Sequence, residues 1–220
     1  MRERGIAAVL LASALVACAH KDESSPCVVP ERTASVAIAL FDGRSLAGWN
    51  GDPAVWQVVD GQIVGNSGRR QVGDNTFLIL TNRTFSNFVL SADVLLVDDV
   101  GNSGIQFRST IQDPAQWVVT GYQADVGHGL WGLLYEEALG RGALMNPSQA
   151  CSAAAVVGGW NHYEIAANGC RIVVKLNGAL CSTFGEGDAS RPRDGYIALQ
   201  YHAPGGFEVR FRNILIAELL

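Results

Sequence analysis

Three short segments of this sequence each place two strong hydrogen-bonding side chains two residues apart within a strand-like apolar run. The pairs are Gln106 and Arg108, Gln123 and Asp125, and Gln200 and His202. Residues two apart in a strand lie on the same face of the sheet. If the three strands share a sheet, one face carries amides, a guanidinium, a carboxylate and an imidazole. This set suits a polyhydroxylated ligand such as a sugar, and it includes groups that can move a proton.

Each ionisable member of this set has a structural alternative. Arg108 either grips a carbonyl or enolate oxygen through its fork of donors or forms a surface salt bridge. Asp125 either transfers a proton or belongs to a solvated outer face, and an aromatic wall from Tyr122 and Trp131 would favour the first reading. The imidazole of His202 is a natural base, because histidine side chains in general change charge near neutral pH, although a single histidine is more often structural.

A further segment adds candidate ligand groups in the order Tyr135, Glu136, Glu137 and Arg141. Adjacent carboxylates in an extended strand point to opposite faces, so one reaches the site while the other meets solvent. We expect Glu136 to be the one in the site, Tyr135 to position a hydroxyl, and Arg141 to pair with one of the two carboxylates. The alternative is a set of exposed loop charges.

The sequence gives little support for a metal, an organic cofactor or nucleic acid. Asp125, Glu136 and His202 are residue types that bind manganese or calcium, but no contiguous ligand motif includes them. No glycine-rich phosphate loop opens a helix, and no G-x-S-x-G motif is present. The formal net charge is −5, and no run of Lys or Arg occurs. We therefore expect no metal, no cofactor and no nucleic-acid partner.

The N-terminus predicts export. A basic start precedes an apolar run over residues 5–16 that is too short to span a bilayer, and the run ends in Leu-Val-Ala-Cys. This pattern resembles a bacterial lipoprotein signal. It predicts a signal peptide over 1–17, acylation of Cys18, and a lipidated tether over 18–37 that contacts a membrane only through its lipid. The alternative is an ordinary signal peptide cleaved near Ala19.

Four more cysteines favour two disulfides in an exported protein, namely Cys27, Cys151, Cys170 and Cys181. Asn177 and Gly178 predict a two-residue hairpin turn that sets Val174 opposite Cys181. Cys170 then lies about four residues, or roughly 13 Å, further along the strand, which exceeds the reach of a disulfide. We therefore expect each of these two cysteines to pair with one of the other two, in an order that stays open.

From residue 38 onward, short β-type runs alternate with turn clusters, and no convincing helix appears. The segment 136–144 has some helical character but contains two glycines, and 148–157 predicts at most one short turn of helix. Evenly spaced strands without helices predict a β-sandwich or barrel for the domain 38–220. The predicted strands are 56–60, 62–65, 77–80, 88–97, 104–108, 119–126, 133–137, 162–167, 172–176, 179–184, 196–202 and 207–218.

Several motifs, in order, closely resemble the 3-keto-disaccharide hydrolase domain family. They include LFDGRSLAGW (40–49), WQVVDGQIVG (56–65), GNSGIQFR (101–108), GYQAD (121–125), LYEE (134–137), WNHYEI (160–165), LQYH (199–202) and FRNI (211–214). The resemblance implies a concanavalin A-like β-sandwich, or jelly roll, of two antiparallel sheets. It also implies a sheet that faces a glycoside, and cleavage of 3-keto sugars.

The implied chemistry is elimination next to a ketone. A carbonyl at C3 acidifies the C2 proton, a base removes it, the enolate expels the aglycone from C1, and water then adds. We expect His202 or Asp125 to be the base, Arg108 to hold the enolate oxygen, and Glu136 to be the acid. The expected substrate-binding residues are Gln106, Gln123, Gln200, Tyr135, Trp131 and Arg141.

Three alternatives stay open. Many family members have Glu and then Gln where this chain has Gln123 and Asp125, so the identity of the acid or base is undecided. The enzyme could stop at elimination and act as a lyase rather than a hydrolase. The same sandwich could also be a non-catalytic sugar-binding module or a structural envelope lipoprotein, because a fold does not determine a function.

Overall fold

The computed structural model describes Cys27 and residues 29–220. The predicted signal peptide, the acylation site Cys18 and the first part of the predicted tether lie outside the described residues. The last part of that tether lies against the domain, because Cys27 is disulfide-bonded to Cys170 and the backbone N–H of Ser35 donates to the Glu218 carbonyl at 2.7 Å. Within the part of the chain that is described, no helix has the length and apolar character needed to cross a bilayer.

The described residues form fifteen strands and one short α-helix, α1 (Gln149–Ala154). The strands are, in chain order, β1 (Ile38–Ala39), β2 (Trp49–Asn50), β3 (Trp56–Val59), β4 (Gln62–Asn66), β5 (Thr76–Phe85), β6 (Phe88–Leu96), β7 (Asn102–Asp113), β8 (Val118–Gly127), β9 (Leu134–Glu137), β10 (Gly142–Met145), β11 (Trp160–Asn168), β12 (Arg171–Leu176), β13 (Ala179–Gly185), β14 (Gly195–Tyr201) and β15 (Glu208–Glu218).

These strands make two antiparallel sheets. The first has the spatial order β13-β12-β11-β6-β15-β4-β3, with β1 paired to β15, and the second has the order β10-β9-β8-β7-β14-β5-β2. The sheets pack face to face, which confirms the prediction of an all-β, concanavalin A-like sandwich. Every predicted strand is present, and the two-residue strands β1 and β2 and the four-residue strand β10 are additions.

The core lies between the sheets because one face of each strand is apolar. In β6, alternate residues from Phe88 to Leu96 are fully buried. Across the interface, Phe107 of β7 makes an edge contact with Phe88 at 6.2 Å and stacks on Tyr122 of β8 at 5.7 Å. Burial of one such side chain contributes roughly 1.5–3 kcal/mol. The faces of β7 and β8 that point away from this core are therefore free to carry polar groups.

One local prediction was wrong, and the segment of ambiguous helical character is a pair of strands. The segment with helical character is the β9–β10 hairpin, in which Ala138 and Gly140 take positive φ angles of 55° and 101°. The turn at 177–178 joins Leu176 to Ala179 as predicted, but a bulge shifts the register so that Val174 lies opposite Ser182 rather than Cys181. The extra residue of the bulge is invisible to a calculation that assumes a regular ladder.

The disulfides are Cys27–Cys170 and Cys151–Cys181. The predicted exclusion of a Cys170–Cys181 bond is thus confirmed, and the open pairing order is resolved. Disulfides persist in oxidising compartments, so the two bonds indicate a protein that works outside the cytoplasm.

The far end of the β7–β8 hairpin folds over the outer face of the second sheet. Two breaks in the β7–β8 register bend this hairpin, and the Phe77 N–H of β5 donates to the Trp117 carbonyl at 3.0 Å. A small apolar cluster that includes Phe77, Ile79 and Val119 is buried under it. The folded hairpin forms a wall beside the polar residues of the same face.

Candidate functional site

Three neighbouring strands place Gln200, Gly104 and Asp125 side by side. Gly104 of β7 pairs with Gln200 of β14 on one side and with Asp125 of β8 on the other. A Cβ atom at position 104 would lie 2.4 Å from Cδ of Gln123, because the Gln123 side chain crosses over this glycine. Position 104 therefore has to be glycine if Gln123 is to bridge its neighbours.

Gln123 is the centre of a hydrogen-bonded amide chain. Its Nε2 donates to Asp125 Oδ1 at 2.6 Å and to Gln200 Oε1 at 3.3 Å. Its Oε1 accepts from Gln106 Nε2 at 3.0 Å, and Gln106 Oε1 in turn accepts from the Ser109 hydroxyl at 3.0 Å. Each hydrogen bond fixes the orientation of the next amide. The contacts of Ser109 and Gln106 therefore determine that Gln123 presents its Nε2 donor, and not its Oε1, to Asp125.

A pocket of about 280 Å³ opens above this network. Its polar lining comes from Asn75, Asn102, Gln123, Asp125, Glu137, Gln200 and His202, and Leu130, Leu133 and Tyr135 add apolar surface. A sugar ring presents hydroxyl groups at its rim and C–H groups on its faces. A pocket with converging polar groups on a partly apolar wall matches that surface.

Asp125 is the group in the pocket that is best prepared for proton transfer. It is only 5% exposed, and burial raises the pKa of its carboxyl group to about 7. The hydrogen bond from Gln123 acts in the opposite direction, while the negative charge of Glu137 raises the pKa further. A pKa close to the working pH is the value expected of a general acid or base. Asp125 Oδ2 has no hydrogen bond to any described residue.

Glu137 and Tyr135 reach the pocket from the edge of the sheet. Glu137 Oε2 accepts from Gln200 Nε2 and its Oε1 from Asn75 Nδ2, both at 3.3 Å. Burial, with the charges of Glu137 and Asp125, raises the pKa of the Tyr135 hydroxyl above its usual value. Tyr135 therefore stays protonated at neutral pH and can donate a hydrogen bond to a ligand.

His202 lies where this pocket meets a second one. Its Nδ1 faces the backbone carbonyl of Ala203 at 2.5 Å. A carbonyl oxygen can only accept, so Nδ1 carries the proton in the neutral ring and Nε2 has the free lone pair. The second compartment has a volume of about 520 Å³ and shares Asn75, Glu137 and His202 with the first.

Comparisons with known proteins agree with this fold and surface. A sequence model of the 3-keto-alpha-glucoside-1,2-lyase-like domain matches residues 36–217. The chain belongs to this family. Membership in the 3-keto-alpha-glucoside-1,2-lyase-like family supports a carbohydrate-related function. No curated protein sequence matches the chain.

Solved structures share the fold of this lyase-like domain. A candidate glycosyl hydrolase from Parabacteroides distasonis ATCC 8503 is 22% identical, with a TM-score of 0.61 over 84% of this chain and 94% of that one. The carbohydrate-binding module CBM66 from Bacillus subtilis is 20% identical, with a TM-score of 0.58 over 76% and 93%. SCLam, a GH16 endo-β-1,3(4)-glucanase, is 10% identical, with a TM-score of 0.53 over 89% and 93%. At these identities the likeness establishes the sandwich architecture.

The lyase-like domain brings together most of the residues predicted from the three polar pairs. Asp125, Gln123, Gln200, His202 and Tyr135 all line the pocket. Gln106 lies beneath them, fully buried, and touches the pocket only through Gln123. The roles predicted for these residues stay predictions.

Arg108 does not join the site, so its predicted place is wrong. Its Nε and Nη2 donate to the Ser86 carbonyl at 2.9 and 2.7 Å, and its Nη1 donates to the Gly169 carbonyl at 2.8 Å. The physical reason is the break in the β7 register after Phe107, together with a positive φ of 49° at Arg108, which ends the simple alternation of faces. Burial lowers the pKa of Arg108 to about 10, so it remains a cation at neutral pH.

Glu136 and Arg141 also lie elsewhere. Glu136 is 1% exposed on the opposite face of β9, where Arg141 Nε donates to its Oε1 at 2.9 Å. Arg141 Nη2 also donates to Glu186 Oε2 at 2.6 Å. The expectation that Arg141 pairs with one of the two glutamates is confirmed, but its predicted contact with substrate is not supported. Of the adjacent pair of carboxylates, Glu137 faces the pocket, which reverses the predicted choice.

The predicted aromatic wall is wrong as well. Trp131 is 4% exposed, donates from Nε1 to Asp99 Oδ1 at 3.0 Å, and stacks on Tyr163 at 6.3 Å. Tyr122 is buried in the core. The tryptophan on this side of the sheet is the half-buried Trp117, at the tip of the folded β7–β8 hairpin, where it lines a neighbouring pocket of about 200 Å³.

Sequence reasoning missed Asn75 and Asn102. Asn75 lies in the loop immediately before β5 and reaches the pocket from a part of the chain distant in sequence. Asn102 shares a face with Gly104 and Gln106, so the period of two in β7 could have identified it. Among the described residues no cluster of three or more His, Cys, Asp or Glu side chains is arranged to hold a metal ion.

Proposed function

We propose that this protein cleaves 3-keto-glycosides by removing the proton at C2 and releasing the aglycone from C1. The observation that supports this most strongly is Asp125, a carboxyl group with a pKa of about 7, almost fully buried at the base of a sugar-sized pocket. Such a group is ionised often enough at neutral pH to accept a proton and is basic enough to do so effectively. A simple sugar-binding face has no need for a carboxyl group with a raised pKa.

The reaction is balanced without any added oxidant or metal. Asp125 takes the C2 proton, and the C–H electrons form the enolate of the C3 ketone. When the ketone re-forms, the enolate electrons make a C1–C2 double bond. The bond between C1 and the aglycone oxygen then breaks, and its electron pair leaves with that oxygen. Release of this product is a lyase reaction. Addition of water across the C1–C2 double bond, with the hydroxyl at C1 and a proton at C2, gives the 3-keto sugar and completes the net hydrolysis.

His202 is the proposed acid at the leaving oxygen. It lies at the junction of the two compartments, so a sugar in the first and an aglycone in the second would bring the glycosidic bond close to it. In its protonated form the ring presents Nε2–H, because Nδ1 is already bonded to a carbonyl. Glu137 is less suited, since both of its oxygens already accept hydrogen bonds from the side-chain amides of Asn75 and Gln200.

Asn102 is the proposed partner of the enolate oxygen, in place of Arg108. It lines the pocket, its buried Oδ1 has no hydrogen-bond partner among the described residues, and its Nδ2 donates to none of them. The unused Nδ2 donor would be satisfied by a carbonyl oxygen that gains negative charge, and the Oδ1 acceptor by a hydroxyl group of the ligand. Gln200 is assigned to a sugar hydroxyl, because its Nε2 donates only to Glu137 and keeps one free N–H group. Both N–H groups of Gln123 are engaged by Asp125 and Gln200, so Gln123 is assigned to holding these two side chains in place.

A non-catalytic sugar-binding module is the second candidate. The observation in its favour is that no described Lys or Arg side chain lines the pocket, so charge that develops on the C3 oxygen meets only neutral donors. The same amide network would hold an unreacted sugar equally well. This candidate predicts tight sugar binding without turnover.

The test is aglycone release from a nitrophenyl 3-keto-glucoside and from a 3-keto-disaccharide. We expect the wild-type protein to cleave both substrates. Asp125→Asn should lower the rate of both cleavages by a factor of about 10² to 10⁴. His202→Ala should lower mainly the rate of disaccharide cleavage. A nitrophenolate leaves without help from an acid, whereas a sugar alkoxide does not. Binding of both substrates with no release from either would favour the second candidate.

We propose in addition that the protein is held at a membrane surface of the cell envelope by acylated Cys18. The lipoprotein-type signal ending at this residue supports the assignment, and the two disulfides fit an oxidising compartment. Metabolic labelling with a fatty-acid probe tests it. Labelling that is lost in Cys18→Ser is expected, and equal labelling of the variant would contradict it.

A further inference from the structure

The site continues into a groove that is longer than one sugar. The first compartment, about 280 Å³, and the second, about 520 Å³, share Asn75, Glu137 and His202. A third compartment of about 200 Å³ shares Asn75, Asp74 and further lining residues with the second. Because the shared residues lie at the junctions, a ligand that fills the first compartment has a continuous path outward across the face of the sheet.

The second compartment is built from parts of the fold rather than from a loose loop. Its base is Phe77, which is fully buried and whose backbone N–H is bonded to the Trp117 carbonyl of the folded hairpin. The hairpin contributes Asp113 and Gln116 to the wall. Asp113 Oδ1 accepts from the Ala115 and Gln116 N–H groups at 2.9 and 3.2 Å, which fixes the turn and leaves Oδ2 without a described partner.

The third compartment contains a buried hydroxyl group without a partner. Thr76 is 7% exposed, and its Oγ1 makes no hydrogen bond with any described residue. Buried polar groups are normally paired, and each exception calls for a partner such as a ligand or a water molecule. A polyhydroxylated ligand that extends this far would be able to supply that partner.

The charge of the groove is negative. Asp74, Asp113 and Glu137 line the second compartment, and no described Lys or Arg side chain lines the first or the second. The arginine of the third compartment, Arg70, is paired with Asp52 at 2.5 Å. A carboxylate on a bound ligand would therefore meet three like charges, with the His202 ring at the junction as the one described group able to carry a positive charge, whereas a neutral or ammonium-bearing ligand would meet no such repulsion.

We propose that the second compartment is a subsite for the leaving group, and that it accepts neutral or cationic sugar units and rejects units that carry a carboxylate. The chemical class is a glycoside whose aglycone is a hexose or an amino sugar. This inference rests on the proposed function, because only a cleavage reaction makes the sugar in the second compartment a leaving group. The groove and its negative charge do not depend on any catalytic step.

The test measures binding of unreactive ligands, so it does not require turnover. The full chain is titrated calorimetrically with methyl glucoside and with three disaccharides of one linkage, glucosyl-glucose, glucosyl-glucosamine and glucosyl-glucuronate. We expect the first two disaccharides to bind at least tenfold more tightly than methyl glucoside, and the glucuronate to bind at least tenfold more weakly than glucosyl-glucose. Added salt should reduce the difference in affinity between glucosyl-glucose and glucosyl-glucuronate, because it screens the repulsion between charges.

Variants connect the discrimination to the groove. Asp113→Asn keeps the Oδ1 acceptor of the turn and removes one charge, and Asp74→Asn removes a charge from an exposed loop position. Each should improve glucuronate binding about threefold and leave methyl glucoside unchanged. The matched control is Asp60→Asn, an exposed turn residue with a φ of 49° that asparagine also adopts.

Three results would overturn the proposal. They are disaccharides that bind no more tightly than methyl glucoside, equal affinity for the neutral and acidic disaccharides, and no binding of any of these ligands. Failure of the proposed catalysis has a different signature, namely discrimination in binding that is retained while 3-keto substrates are not cleaved.

Discussion

Gln123 donates a 2.6 Å hydrogen bond from Nε2 to Asp125 Oδ1, and the two residues lie two positions apart on the same face of β8. This bond stabilises the ionised carboxylate, while burial and the charge of Glu137 stabilise the protonated one. The pKa of Asp125, about 7, is the balance of these opposing effects. The hydrogen bond and the charge each belong to a single neighbouring side chain, Gln123 and Glu137, and can be removed separately.

The pH dependence of turnover should therefore shift in opposite directions in two variants. If ionised Asp125 is the base, kcat/KM rises with pH through a midpoint near 7. Glu137→Gln removes a negative charge and should lower that midpoint. Gln123→Leu removes the hydrogen bond to the carboxylate and should raise it. Midpoints that shift in the same direction, or that do not shift, would mean that another group controls the rate.

Two adjacent glutamates should separate activity from stability. Glu137→Gln should reduce kcat/KM with little change in melting temperature, because Glu137 faces the pocket. Glu136→Gln should destabilise the fold by roughly 2–4 kcal/mol, since it leaves Arg141 with one carboxylate partner instead of two in a buried network. Activity per folded molecule should then be retained. The opposite pattern would restore Glu136 as the acid.

Arg108 should be important for folding and unimportant for chemistry. Arg108→Met leaves the Ser86 and Gly169 carbonyls without their donors and should cost roughly 2–4 kcal/mol in the free energy of unfolding. The control is Arg83→Met, whose side chain is 40% exposed and should matter by less than about 1 kcal/mol. Sugar affinity of the folded Arg108 variant should be unchanged. A stable variant without turnover would return Arg108 to the active site.

The buried carboxyl group should also leave a signature in stability. Between the pKa of an unfolded aspartate, about 3.9, and the folded value of about 7, the native state binds a proton that the unfolded state does not. The free energy of unfolding should thus fall as pH rises through this window, and the loss should be complete above pH 7.

Asp125→Asn should remove this loss and gain up to roughly 4 kcal/mol at pH 8, while it gains little near pH 4. Denaturant unfolding at both pH values measures the difference, and Asp60→Asn is the exposed control. Equal effects of the Asp125 variant at the two pH values would show that the pKa of Asp125 is not raised.

The fold and the floor of the site could be predicted from the sequence because both follow from alternation. The period of two in GIQFR, GYQAD and LQYH places Gln106, Gln123, Asp125 and Gln200 on one face, and these residues are hydrogen-bonded as a group. Strand geometry gives the shared face within each segment, and the neighbour order β8-β7-β14 confirms the assumption that the three strands share one sheet.

The errors occur where alternation ends. A break in the β7 register turns Arg108 into the domain, and a second bulge, in the β12–β13 pair, shifts the partner of Val174. Both depend on one extra residue in one strand of the pair, which is Cys181 in the second case, and the alternating pattern does not reveal it. The choice between Glu136 and Glu137 depended on which face of the edge strand β9 meets the pocket, and a four-residue strand contains too little pattern to decide it.

The groove walls were not predictable for a different reason. Asn75 and Trp117 reach the site because a hairpin bends over the sheet and a distant loop approaches it. Such long-range approaches leave no local pattern in the sequence.

The central claim, that proton removal at C2 precedes loss of the aglycone, is tested most directly by cleavage of a 3-keto-disaccharide in deuterated water. The released 3-keto sugar is analysed at early times for deuterium at C2, with C4 as the internal standard, because C4 also neighbours the ketone and reports uncatalysed exchange. We predict one deuterium at C2, far above the level at C4, and loss of this label with Asp125→Asn. Aglycone release with C2 still carrying its original hydrogen would mean direct displacement at C1 and would contradict the mechanism.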